Sequence, residues 1–581
     1  MTKLHRSLLL LSIAVGSIQP TAILAQVNLT QEIAAQASEL TNTIIQHQAD
    51  KGSLDRFYFL ETSPERIERM KKFHSSYSNG LQQFNFEKLS MDGKVDYVLF
   101  SRNLQYELQL LEEEKAQLNF SESYLPFSTQ VFSYEKKRRR GAVLPAQELA
   151  RDLNNWKIQL LDLLKKGEAD ADIHLMAAHA VQKRIKDCRD ALRSIYDFYY
   201  GYDPQFTWWV EAPYKGMDSL LQLYSTNLLS RARKNGASAD DGSGIIGRPI
   251  GAAALKQQLE LEYIPYTAAE LITIAEQEFA WCDKELLKAT KEMGFGTDRK
   301  AALEKVKNSY VPEGKQPEMI LDLYNQSVDF IKKKDLVTIP PIAEETWRMN
   351  MMSPERQLVN PFFLGGESII ISYPTNTMAE PDKLMSMRGN NPHFSRATVH
   401  HELIAGHHLQ MFQNDRHKAY RSFYTPFWIE GWALYWEMIL WDMGFPRGPE
   451  DKIGMLFWRM HRCARIIFSL NYHLGKWTPQ QCIDFLVDRV GHERANAEGE
   501  VRRSFQGNYG PLYQLAYMIG GLQFYALKKE LVDGGKMTYK QYHDAILKQN
   551  SLPVEMIRHI LTNRPPQKQF STSWRFYTPK N

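Results

Sequence analysis

Apolar residues recur at helical intervals through residues 29–50, 65–82 and 146–198, and almost nowhere does the chain alternate as a half-buried strand would. That pattern predicts a mainly α fold. Helix punctuation agrees with it. Thr267-x-x-Glu270 and Thr538-x-x-Gln541 are capping boxes, in which a side chain and a backbone N–H satisfy each other at a helix start. Thr478-Pro479-Gln480-Gln481 adds a proline at the first helical position, and Gly294 and Gly491 sit where two of these runs should stop. The clearest strand is the β-branched run 368–372, halted by Tyr373-Pro374 and read as a short edge strand able to pair with an extended peptide.

With 581 residues, 43% of them hydrophobic, the chain can bury a large core, which excludes a disordered or collagen-like protein. Its 71 Lys and Arg nearly balance 67 Asp and Glu, so no nucleic-acid partner is implied. Lys3 and Arg6 precede an apolar run at 8–15, and Ala22-Ile23-Leu24-Ala25 offers a cleavage site, so residues 1–25 read as a secretory signal. The mature protein is then exported, to the periplasm or beyond, with no stable membrane span. The Gly- and Asp-rich stretch 237–251 divides an N-terminal helical half (26–240) from a catalytic half (241–581), two halves around a cleft in one continuous unit. The four cysteines are scattered; Cys463 and Cys482 either form a disulfide or remain buried thiols.

The chemistry concentrates at His400-His401-Glu402-Leu403-Ile404-Ala405-Gly406-His407-His408-Leu409-Gln410. Ser395 is expected to cap this helix, with His401 and Glu402 about two turns in. A zinc-binding helix places two histidines four residues apart, and here position 405 is alanine. On an ideal helix His407 lies about 120° off the face of His401, and His408 lies roughly 10 Å along the axis. Neither pair can share one ion. A widened turn at Ala405-Gly406 that loops out two residues returns His407 to the required place, with His408 turned aside or itself the ligand.

Thr425-Pro426 opens a second helix carrying Glu430 and, seven residues on, Glu437. One should bind metal and the other orient a histidine, and Gly431 beside Glu430, permitting close helix approach, favours Glu430 as ligand. His401, His407 and Glu430 are thus expected to hold one Zn²⁺, with Glu402 as general base. Tyr517 is the candidate donor to the oxyanion, Tyr509 lies in the same aromatic segment, and Arg502 and Arg503 are candidates to clamp a substrate carboxylate.

His401-Glu402-x-x-Ala405-Gly406-His407-His408-Leu409-Gln410 resembles the HEAxPGHHLQ signature of a large bacterial family of exported proteins, catalogued as a domain of unknown function and grouped with the zincin metallopeptidases. The similarity continues through 430–435, 500–503 and 516–520 and implies a large helical, zincin-like fold and peptidase activity. Trp428-Ile429-Glu430-Gly431 also resembles the WxNEG element of gluzincin aminopeptidases, in which the glutamate ligates zinc. The chain departs from the family pattern at Ala405, where proline is usual, and at 510–513. The expected function is peptide hydrolysis; the alternatives are a metal-dependent amidase acting on a small non-peptide amide and a zincin-like scaffold that binds peptides without cutting them.

Overall fold

The segment Pro426–Asp442 is apolar on nearly every side, and a helix of that kind belongs in an interior. Thr425 Oγ1 accepts the Phe427 N–H at 3.2 Å and Pro426 fixes the first turn, so the helix starts where the sequence predicts. Trp428, Trp432 and Trp436 on it are fully buried. Each removes roughly 200 Å² from water, about 5 kcal/mol of transfer free energy before ordering entropy is subtracted.

The computed structural model describes residues 37–169, 175–235, 240–357, 362–507 and 509–579. The signal sequence read at 1–25 lies outside them, as do 29–36 and 237–239. The described residues are mainly helical, with one two-stranded sheet among them. All three capping boxes form, opening helices Ala268–Glu292, Pro479–Phe485 and Tyr539–Leu547. No described helix is long and apolar enough to cross a membrane.

The Pro426–Asp442 helix packs tightly on Tyr513–Lys528 because glycines face each other. A Cβ on Gly431 would stand 2.5 Å from Gly520 Cα, and one on Gly520 would stand 2.1 Å from Phe427 O. Pro449–His473 lies against this pair and against Ala268–Glu292 and Pro392–Glu402, and is buried along most of its length. Helices Ala146–Ala169, Leu175–Tyr199 and Pro204–Asn235 gather around a second apolar cluster that includes Trp156, Phe206 and Leu221. Met91–Glu122 joins the main core through Val95, Leu99 and Leu104. It is tied to residues 418–421 by a largely buried ion network: Arg421 reaches Asp96 at 2.8 Å and Asp92 at 2.7 Å, and Lys418 reaches Asp92 at 2.6 Å.

One expectation is corrected, and one open alternative is decided in favour of buried thiols. The strand Ser368–Ile371 is not an open edge, because Arg348–Met351 pairs with it in parallel and Leu364 bonds Ile370 from the other side. The four cysteines are all free and buried, and the Cys482 thiol points at Phe468 O, 3.7 Å away, instead of at Cys463.

Candidate metal centre

The His401 helix begins at Pro392, not after Ser395. Asn391 caps it, its side chain accepting the His393 and Phe394 N–H groups at 3.0 Å each, and Pro392 occupies the first position. The helix ends at Glu402, residues 403–406 turn a corner, and His407–Asn414 starts a new helix. The widened turn expected here is thus a complete interruption. Gly406 N–H donates to His400 O at 2.9 Å, and Trp432 Nε1 donates to Ala405 O at 2.8 Å. Glycine is required at 406 because a Cβ there would lie 1.8 Å from His401 O.

The corner brings two imidazoles together over a carboxylate. One ligand atom from each of His401, His407 and Glu430 lies within 4.8 Å of the others, and all three residues are buried. His401 Nε2 stands 3.6 Å from Glu430 Oε2, and His407 Nε2 stands 3.3 Å from the same oxygen. Tetrahedral bonds of about 2.0 to 2.1 Å set ligand atoms roughly 3.3 Å apart, so the spacing suits zinc. The opposite nitrogens are engaged elsewhere: His401 Nδ1 contacts Glu437 Oε1 at 2.7 Å and His407 Nδ1 contacts Gln410 Oε1 at 3.5 Å. Protons held on both Nδ1 atoms leave both Nε2 lone pairs facing the centre. Glu430 Oε2 is buried with no hydrogen-bond partner, an orphaned anion that a cation would satisfy.

Electrostatics tighten the cluster. Burial opposes charge on His401, but Glu430 and Glu437 outweigh it and raise the ring to about 9. Burial also works against the Glu430 carboxylate, which His407 and His401 nevertheless hold well below the usual range. Glu402 differs, because burial dominates and raises its carboxyl above the ordinary value, with His401 and His407 pulling the other way. Gly365 makes room for it; a Cβ there would sit 2.3 Å from Glu402 Oε2.

These groups open onto a cavity of about 400 Å³ whose wall includes Glu402, Tyr509, Tyr513, Tyr517 and Arg503. Tyr424, Tyr509 and Tyr513 also border an adjoining cavity of about 600 Å³. Tyr513, which the sequence suggested as core or cleft wall and whose bond to the cluster it missed, is nearer the cluster than Tyr517: its hydroxyl donates to Glu430 Oε1, and the Tyr517 hydroxyl donates to it at 3.4 Å. Burial and Glu430 push Tyr517 up to about 12 against its arginine neighbours, so it is a proton donor at neutral pH. Two predicted residues lie elsewhere. His408 faces backbone carbonyls, with Nε2 2.7 Å from Ala343 O and Nδ1 3.2 Å from Gly366 O, and takes no part in the cluster. Arg502 donates to Gly244 O at 3.0 Å near the surface, because it points off the far side of the Arg494–Gln506 helix. Arg462 and Arg465, also missed, line the cavity; three arginines spaced by three in the run 459–465 were the available signal.

Fold and site together define a mainly α protein with a buried His-His-Glu cluster at the floor of a cavity. The chain belongs to the DUF885 family of bacterial proteins of unknown function, whose profile matches residues 57–561. It has the fold of a candidate lipoprotein of unknown function from Shewanella oneidensis, with TM-score 0.65 and 16% identity over 90% of this chain and 99% of that one. A candidate lipoprotein from Colwellia psychrerythraea aligns with TM-score 0.57 and 16% identity, over 90% and 98% of the two chains. No curated protein matches in sequence.

Proposed function

We propose that the protein is an exported zinc-dependent hydrolase that cleaves peptide bonds. The observation that carries this reading is the convergence of three buried ligand atoms within 4.8 Å at the wall of a cavity also lined by Glu402. His401, His407 and Glu430 would hold a zinc ion, which when bound would supply Lewis acidity toward an attacking water and the scissile carbonyl. Glu402, whose affinity for a proton burial increases, accepts the proton of the attacking water and passes it to the leaving amine. Tyr517, kept protonated and bonded to Tyr513 only at a long 3.4 Å, can turn its hydroxyl to the developing oxyanion while Tyr513 holds Glu430. Glu437 holds the His401 ring in the ligating tautomer. Export is supported by the leader-like sequence at 1–25 and by the two structural relatives described as candidate lipoproteins.

The test combines metal analysis with mass-spectrometric digestion of a peptide library. One zinc per chain and chelator-sensitive cleavage are expected, and Glu402→Gln should retain zinc while losing at least about 100-fold in rate. Full activity in Glu402→Gln, or in metal-free protein, refutes the mechanism.

A further inference from the structure

The Pro449–His473 helix carries Arg459, Arg462 and Arg465 at three-residue intervals inside the protein, exposed by only 5%, 4% and 2%. Buried guanidiniums are retained where an anion answers each of them. Arg459 has its own, Glu278 at 2.7 Å, and does not border the main cavity. Arg462 and Arg465 do border it, joined by Arg503 from the neighbouring Arg494–Gln506 helix.

These three cations meet two carboxylates, Glu500 and Glu437. Glu500 accepts two bonds from Arg465 at 2.7 and 3.1 Å, meets Arg503 at 2.8 Å and accepts Gln514 Nε2 at 3.0 Å. Glu437 reaches Arg462 at only 3.5 Å, through the oxygen that His401 Nδ1 already contacts at 2.7 Å. Arg465 Nη1 and Arg462 Nε are left buried with no hydrogen-bond partner. The arginines are close to the reacting centre. The Tyr517 ring lies parallel to the His401 ring at 6.1 Å and carries the Arg462 and Arg465 guanidiniums at 4.6 and 4.4 Å. All three guanidinium-bearing side chains line the cavity wall, where a ligand can meet them.

Resting on the hydrolase reading above, we infer that Arg462, Arg465 and Arg503 form a carboxylate-binding subsite, so that the preferred substrates are peptides bearing a carboxylate within a residue or two of the bond that is cut. Guanidinium forks match planar carboxylates in geometry and charge. An extended residue spans about 3.3 to 3.6 Å, so one tyrosine ring's separation from the cluster limits the reach to a residue or two from the cut. The carboxylate comes either from the peptide's own C-terminus or from an acidic side chain beside the cut.

Zinc-loaded Glu402→Gln protein, which binds without turnover, is titrated calorimetrically with three versions of one N-acetylated tripeptide. These are a neutral-side-chain free acid, its C-terminal amide, and an amide whose last residue is glutamate. The free acid is expected to bind at least tenfold tighter than the neutral amide, and Arg462→Lys and Arg503→Gln, made separately so that one failure to fold is not decisive, should each shrink that ratio at least threefold. Tight binding of the glutamate amide supports the subsite with the side chain as the source. Equal binding of all three, undetectable binding included, overturns it. Wild-type zinc protein is then offered the same peptides. Carboxylate-selective binding without any cleavage keeps the subsite and refutes the hydrolase, whereas cleavage indifferent to the carboxylate does the reverse.

Discussion

Replacing Gly406 with alanine tests whether the corner between the two histidine helices creates the proposed metal centre. The added Cβ would stand 1.8 Å from His401 O and 2.5 Å from His400 O. Carbon and oxygen approach no closer than about 3.3 Å without penalty, so the corner must open by about 1.5 Å. That movement breaks the Gly406 N–H to His400 O bond of 2.9 Å and drags on the Trp432 Nε1 to Ala405 O bond of 2.8 Å. Overpacking at roughly 1 to 3 kcal/mol and about 1 kcal/mol for each buried bond give a stability loss of about 3 to 5 kcal/mol. Zinc should suffer independently of folding, because ligand positions tolerate only about 0.2 Å and His407 begins the helix that would shift. Competition against a chromophoric chelator is expected to show affinity reduced at least about 100-fold. Gly365→Ala is the matched control, since the three atoms nearest its Cβ all belong to Glu402: Oε2 at 2.3 Å, O at 2.8 Å and Cα at 2.9 Å. It should abolish most cleavage while zinc affinity stays within about tenfold of wild type. Wild-type zinc binding by folded Gly406→Ala protein would refute the argument that this corner positions His407.

Glu437→Gln removes the anion that fixes the His401 tautomer, and zinc affinity measured by the same competition should fall about 10- to 100-fold; an unchanged affinity would mean that Glu437 is only an ion-pair partner of Arg462. Arg421→Met leaves Asp96 buried and without its cation, and denaturant unfolding should report a loss of about 3 to 5 kcal/mol, with a loss under about 1 kcal/mol counting against the network as the tie between Met91–Glu122 and residues 418–421. Glu555 lies almost wholly inside, and burial raises it to about 7 from 4.5. Its folded value therefore exceeds the unfolded one, so its stabilising contribution is whole below pH about 4.5 and disappears as pH rises through about 7, at most about 3 kcal/mol over that window. Glu555→Gln should be progressively more stable than wild type between pH 4.5 and 8 by up to that amount, and a constant difference across the window would show that Glu555 does not titrate there.

Local rules carried the reading of the sequence as far as local physics reaches. Capping boxes and Thr-Pro starts are short-range hydrogen bonds and fixed dihedrals, so the helices at 268, 426, 479 and 539 begin where residue types say they should. The same rules misplace the start of the His401 helix only because Ser395 competes with Asn391-Pro392, and a cap backed by proline at the first position prevails. Helix geometry at 401–408 established that a regular winding cannot join the histidines, and that the chain must depart from it at Ala405-Gly406. It left His407 and His408 undecided, because that choice is made by distant partners: the carbonyls of Ala343 and Gly366 hold His408 away from the centre. Distance in sequence also hid the arginines. On an isolated helix, Arg462 and Arg465 are unremarkable surface cations; they become buried cavity wall only when Arg494–Gln506 and Tyr513–Lys528 close over them with Glu500 and Tyr517. The proposed carboxylate preference would thus rest on residues whose role exists only in the assembled fold, while the His-His-Glu cluster beneath them leaves a local trace in histidine spacing. The two features should separate under mutation, with changes at Gly406 acting on zinc and changes at Arg462 acting on peptide choice.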